Sequence, residues 1–277
     1  MAKTVLITGA SSGIGRATAE VFLDDDWQVW ATARDADDVE DLSTAGCEIA
    51  QLDVTDADQC ERVVERVVDS DGRIDCLVNN AGYAQFGAVE DVSTRDLASS
   101  GNQFDVNVYG PHRLIRQVMP HMRARESGSI INVSSVAGRL ALPGQGAYAA
   151  SKFALEALSD SLRVEAAEHG IDVVVVQPGP VETDFYDRAQ AEQDELDTTG
   201  AYDWLYTARE DSRLAGIQDA LSVSPGTVAL TIRDAASASD PDPRYPVGEG
   251  AKLILMARHL PARWRDAAFG VIRKLTG

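Results

Sequence analysis

Short apolar runs alternate along this chain with longer stretches whose apolar residues recur every three or four positions. Residues 4–8, 28–32, 48–52, 76–79, 129–133 and 172–176 form the short runs, and each predicts a strand. The last, DVVVV, is apolar and β-branched after its first residue, as expected of a parallel strand covered on both faces. In ADQCERVVERVVDS, Val63, Val64, Val67 and Val68 recur instead at helical spacing. Strand and helix alternating in this way predict βαβ units. The expected fold class is therefore α/β, a doubly wound parallel sheet of Rossmann type whose right-handed crossovers place helices on both faces.

The regularity breaks after Gly179. Residues 182–222 are acidic and polar, yet Tyr186, Tyr202, Trp204, Leu205 and Tyr206 are scattered among them. Large apolar side chains in such an excursion predict a lid over an apolar ligand, with a plain surface insertion as the alternative. Ser224 followed by Pro225 reads as the N-cap and first residue of a further helix. DPDPRYPVGEGAK, residues 240–252, predicts a loop, a short edge strand and another turn. Residues 250–277 form an amphipathic helical tail interrupted by Pro261, expected to pack on the sheet edge or on a partner subunit. With no internal repeat and no linker, residues 1–277 are expected to form a single domain.

Charge narrows the partners. Lys+Arg total 25 against 44 Asp+Glu, a formal charge of -19. Such a surface repels phosphate backbones and anionic lipids, so no nucleic acid and no membrane is expected as a partner. Solubility accounts for the charge; a salt-rich cytoplasm, where screening relaxes self-repulsion, is the sharper alternative. Lys3, Lys152, Lys252 and Lys274 are the only lysines, which suits an acid-rich surface. Cys47, Cys60 and Cys76 lack C-x-x-C spacing and read as free thiols of a reducing compartment, so a cytoplasmic protein is expected. His112, His121, His169 and His259 form no ligand cluster, so no metal site is expected. The opening TVLI is too short for the apolar region of a signal peptide.

Glycines 9, 13 and 15 lie between the first strand and an amphipathic helix, in TGASSGIGRATAEVF. Glycine permits the tight turn and lets backbone N–H groups approach a pyrophosphate at the positive end of the following helix. This context predicts a dinucleotide site. Tyr148 and Lys152, four apart in YAASK, share one face of a later helix.

The spacing TGASSGIG resembles the phosphate loop of the classical short-chain dehydrogenases/reductases, and further motifs of that family follow in order. LDVTD is similar to the adenine-contact turn, NNAG to the central-strand motif, INVSSVAG to the serine segment and QPGPVET to the nicotinamide segment. Together with Asn107 in QFDVNVYG and the YAASK pair, they cover about residues 3–184. The resemblance implies a sheet of about seven strands in the order 3-2-1-4-5-6-7. It implies cofactor contacts from Gly9, Ser11, Ser12, Gly13, Ile14, Gly15, Asp53, Val54, Asn80, Ala81 and Gly82. Further along, it implies contacts from Tyr148, Lys152, Pro178, Gly179, Val181 and Thr183. Its catalytic set maps onto Asn107, Ser135 (rather than Ser134), Tyr148 and Lys152, and a homodimer or homotetramer is the usual assembly.

An acidic residue after the second strand would accept hydrogen bonds from an adenosine ribose. Here QVWATARD places Ala33 at that position and Arg34 after it, and a guanidinium pairs with a 2′-phosphate where a carboxylate would repel it. NADP(H) is the expected cofactor, with NAD(H) as the alternative. Asp35 is the contrary feature, and Arg34 paired to Asp35 or Asp37 is the bland reading.

The expected activity is NADP(H)-dependent interconversion of a ketone or aldehyde with an alcohol, on a small and hydrophobic carbonyl/alcohol substrate. Tyr148 would be the acid/base, Lys152 the cation that lowers the phenol pKa, Ser135 the donor to the substrate oxygen and Asn107 the holder of a proton-relay water. A non-catalytic nucleotide sensor on the same fold and an extended-branch epimerase or dehydratase are the competing readings. The intact set of four opposes the sensor, and the glycine spacing with NNAG opposes the epimerase.

Overall fold

All six predicted runs are strands, and they pair in parallel with one more. A computed structural model describes residues 2–98, 103–210 and 221–276. Its strands are β1 (Thr4–Thr8), β2 (Gln28–Ala33), β3 (Glu48–Gln51), β4 (Cys76–Asn79), β5 (Gly128–Val133), β6 (Ile171–Pro178) and β7 (Arg244–Val247). They form one sheet in the order β3-β2-β1-β4-β5-β6-β7. Up to the middle of the chain the helices are α1 (Gly13–Asp24), α2 (Glu40–Ala45), α3 (Ala57–Asp71), α4 (Thr94–Ala98) and α5 (Gly110–Ala124). Beyond it lie α6 (Gly146–Ala167), α7 (Phe185–Asp194), α8 (Asp203–Glu210), α9 (Pro225–Ser237), α10 (Glu249–Ala257) and α11 (Ala262–Thr276).

Successive residues of a strand point to opposite faces, and here both faces are apolar. Val5 and Ile7 of β1, Val78 of β4, Ile131 of β5 and Val174 of β6 enter a core closed by Phe22 of α1 and Ile232 of α9. Leu6, Leu77, Ile130 and Val173 enter the opposite core, closed by Val63 and Val67 of α3 and by Leu114 and Val118 of α5. The valine run of β6 thus serves two cores, which is why it shows no alternation. Burial of each such side chain contributes about 1.5–3 kcal/mol. The chain leaves β3 at one edge and returns beside β1 as β4. This reversal opens a crevice at the carboxyl ends of β1 and β4, where ligands bind in such sheets.

β6 runs two residues past the predicted Val176, because Gln177 and Pro178 pair with Pro246 and Val247 of β7. The buried Gln177 amide donates to Glu156 Oε1 at 2.6 Å, which satisfies a polar residue that the apolar pattern ends before. The turn predicted after the edge strand is short: Gly248, at φ +95°, leads directly into α10. The tail divides at Pro261 into α10 and α11, as the missing N–H of proline dictates. Of the predicted lid, 211–220 lie outside the described residues. Cys47, Cys60 and Cys76 are all buried free thiols, pushed up to about 11, 11 and 12 by burial, which makes them poor nucleophiles.

Candidate active site

β1 delivers Thr8 and the loop after it to the crevice. Gly9 and Gly13 have φ of +66° and +55°, a region that side chains rarely adopt. A Cβ on Gly15 would fall 2.2 Å from Gly9 O and 2.4 Å from Asn80 Nδ2, so only glycine lets α1 approach the strand. NNAG fixes this loop from the neighbouring strand. Asn80 Nδ2 donates to Thr8 O (2.9 Å) and Gly9 O (3.0 Å), while Thr8 Oγ1 accepts from the N–H groups of Asn80 and Ala81. The other asparagine, Asn79, donates to Asn132, which donates to Ser159 of α6, tying β4 and β5 to the helix that carries Tyr148. Ser12, the N-cap of α1, makes no side-chain cap bond, and no acidic residue lies in the first helical turn. First-turn N–H groups beside a loop of glycines and small residues fit a dinucleotide diphosphate.

The cleft above this loop has a volume of about 640 Å³. Every cofactor residue expected from the sequence lies on its wall except Gly15, which is packed behind the loop. Arg34 lines it beside Ala33, with its carbonyl accepting from Gln51 Nε2 at 2.9 Å. Among the described residues Arg34 has no carboxylate partner, contrary to the bland reading of that side chain. Asp35 instead turns to its own backbone and accepts from Asp37 N at 3.1 Å, capping the short turn Ala36–Val39. Asp53 likewise accepts from the Thr55 N–H and hydroxyl, fixing the turn that presents Val54.

Ser135, Tyr148 and Lys152 meet at the inner end of the cleft. Ser135 follows β5 and its hydroxyl accepts from Ala137 N at 3.1 Å, whereas Ser134 is buried with its N–H on Val176 O. Lys152 is 4% exposed; its Nζ donates to Val133 O at 2.9 Å and lies 5.9 Å from the Tyr148 ring centroid. Burial pushes the Tyr148 phenol well above its usual pKa, Tyr186 adds to the rise, and a hydrogen bond with Ser135 opposes it. Lys152 Nζ is aimed at the Val133 carbonyl rather than at the phenol, and burial outweighs the lowering expected of it. Burial brings Lys152 down to about 8, against the opposing field of Glu156 one turn further along α6. Glu156 is itself buried, held by Gln177 and Arg244.

Asn107 stands behind the wall, in the π-helical turn Asp105–Tyr109. Its Oδ1 accepts from Tyr83 N at 2.9 Å, and its Nδ2 donates to Tyr83 O and Ser151 Oγ. The side chain therefore braces the loop after Gly82, and a Cβ on Gly82 would lie 3.8 Å from both Asn107 Oδ1 and Lys152 Nζ.

Over Tyr148 the cleft is aromatic. Phe86 meets it edge-on at 5.9 Å, Phe185 lies 5.7 Å away, and Tyr186 stacks on Phe86 at 6.1 Å. Ala84, Ala137, Ala149 and Ala189 pack with them, and of this cluster Ala84, Tyr148, Phe185, Tyr186 and Ala189 line the cleft while Phe86 lies behind it. Of the aromatic residues expected in a lid, only Tyr186 reaches it. Tyr202 bonds to Glu90, Tyr206 bonds to Asp91, and Leu205 packs on Gly144, so these three anchor α8 to the scaffold. Phe86, Phe185 and Arg188 were missed in the sequence. Phe185 carries the one signal available, its place two residues after Thr183.

The family model described as "short chain dehydrogenase" matches residues 3–194. A protein of Escherichia coli (strain K12) named "Uncharacterized oxidoreductase YbbO" is 34% identical over 268 residues, covering 96% of this chain and 93% of that one. The crystal structure of a short-chain dehydrogenase from Streptomyces avermitilis has a TM-score of 0.81 at 33% identity, covering 100% of this chain and 98% of that one. ElxO with NADP bound has a TM-score of 0.75 at 28% identity, covering 91% of this chain and 99% of that one. The chain belongs to the short-chain dehydrogenase family.

Proposed function

We propose that the protein is an NADP(H)-dependent oxidoreductase that interconverts a hydrophobic ketone or aldehyde with its alcohol. The convergence of Ser135, Tyr148 and Lys152 under an aromatic chamber, at the inner end of a dinucleotide-shaped cleft, carries this reading. The loop residues 9–15 and Asn80–Gly82 would hold the diphosphate side of the cofactor. Val181 and Thr183 would hold the nicotinamide side, and Lys152 the ribose hydroxyls. Bound there, the nicotinamide supplies or accepts the hydride.

In the reducing direction, the Ser135 hydroxyl donates to the substrate oxygen and stabilises the charge that grows on it. Tyr148 gives its phenolic proton to that oxygen, completing the alcohol. A buried phenol held protonated keeps its proton available for the substrate oxygen. Asn107 holds the geometry of the adjoining backbone, and a water near Lys152 would return the proton. Phe185 and Tyr186 on the cleft wall, backed by Phe86, favour an apolar substituent on the carbonyl. Arg34 supports NADP(H), as does the NADP-bound relative. Exposed Phe153, Leu158 and Val164 on α6 suit a homodimer or homotetramer, and the buried free thiols suit a reducing cytoplasm.

A panel of ketones and alcohols, followed by nicotinamide absorbance with both cofactors, tests the reading. Activity on apolar carbonyls is expected with NADPH, and Tyr148→Phe should lower turnover at least roughly a hundredfold while keeping cofactor affinity. Arg34→Ala should raise the NADPH KM and leave the NADH KM unchanged. Near wild-type turnover of Tyr148→Phe would remove that residue from its role. Tight cofactor binding with no turnover across the panel would favour a sensor.

A further inference from the structure

Arg188 of α7 and Ser12 of the phosphate loop lie 176 positions apart in sequence, yet Arg188 Nη2 donates to Ser12 Oγ at 3.2 Å. The same guanidinium holds itself against its own helix, with Nε on Asp184 O at 3.3 Å. Ser12 leaves the first-turn N–H groups of α1 uncapped. Among the described residues Arg188 has no carboxylate partner, although acidic residues outnumber basic ones by 44 to 25. The segment leading into α7 also lies against this loop, since a Cβ on Gly13 would fall 2.9 Å from Thr183 Cγ2. A cation without a counter-ion thus faces a backbone anion cradle across the mouth of the cleft, the arrangement of a two-sided phosphate clamp.

We propose that Arg188 is a binding residue for the cofactor diphosphate, contributed by α7 opposite the backbone N–H groups of the loop. This rests on the dinucleotide reading above. Phe185, Tyr186 and Ala189, on the same helix, form the chamber over Tyr148. The anion that engages Arg188 therefore also steadies the helix that forms one wall of the substrate site. Arg34 and Arg188 divide the anionic groups between them, the first taking the 2′-phosphate and the second the diphosphate.

Calorimetric Kd values of full-length Arg188→Ala for NADP+, NAD+ and ADP test this at low salt. All three ligands should weaken by the same factor, roughly tenfold for one charge-assisted contact, and Arg188→Lys should recover part of it. The difference should shrink in about 1 M KCl. NADP+ should protect the Phe185–Tyr186 region of the wild type from chymotrypsin and fail to protect the alanine variant. Arg188 is exposed, so the unfolding midpoint should stay unchanged. Unaltered Kd values in the variant would overturn the proposal, and so would a loss confined to NADP+, which would assign Arg188 to the 2′-phosphate. A wild-type protein that binds none of the three would remove the cofactor reading itself.

Discussion

Two titratable groups one helical turn apart answer burial in opposite directions: Tyr148 is driven up and Lys152 down to about 8. Burial disfavours whichever form is charged, phenolate in one case and ammonium in the other. Near pH 8 the phenol is therefore still protonated while the lysine is half titrated. In the proposed complex the ribose hydroxyls of NADPH would accept from the ammonium, which would raise its pKa toward the ordinary value. Binding should then take up a proton between about pH 8 and 10, and little below about pH 7. Calorimetry in two buffers of different ionisation enthalpy reads this directly. Proton uptake should vanish in Lys152→Met, and proton release in the wild type would contradict the assignment. The sequence placed both groups on one helical face. It gave no view of the burial that sets their pKa values, because that burial comes from β5 and α7, distant in the chain.

Among the elements, α9 shows what local sequence settles. Ser224 accepts from Thr227 N at 3.2 Å and Pro225 opens the helix, as the Ser-Pro pair predicts. Ser224→Ala should lower stability by about 1 kcal/mol, moving Tm by roughly 2–4 °C, with Ser224→Asp close to wild type. Thermal melts check this, and the NADP+ Kd by calorimetry reads whether the loss reaches the cleft, since the adjoining Val223 is bonded to Pro180 and Glu182 beside it. A Kd that moved with Tm would show the cap coupled to the loop. The aromatic residues of 182–222 were legible as a group and illegible one by one. Tyr202 and Tyr206 anchor α8 beside the apolar Leu205, while Tyr186 joins Phe86 over Tyr148. Composition cannot separate an anchor from a wall, since both bury a ring and differ only in what lies opposite.

At the scale of the whole molecule, a charge of -19 sets a self-repulsion that the fold bears everywhere on its surface. The Debye length falls to about 3 Å at 1 M salt, so added KCl should raise Tm. Melts in dilute buffer and in about 1 M KCl test this, and an equal Tm in both would dismiss a salt-rich setting as the reason for the acidity. Apolar run lengths and glycine spacing determined the parallel βαβ sheet and the glycine loop, because these follow from local backbone geometry and periodicity; the strand order and the Ser135–Tyr148–Lys152 set came from the order of motifs that resembles the family. Tertiary structure alone decided that Arg34 faces the cleft without a carboxylate partner among the described residues, that Asn107 braces Tyr83, that Lys152 is drawn down by burial, and that Arg188 reaches Ser12. Each of these depends on which side chains from remote segments lie within a few ångströms, and on the water they exclude.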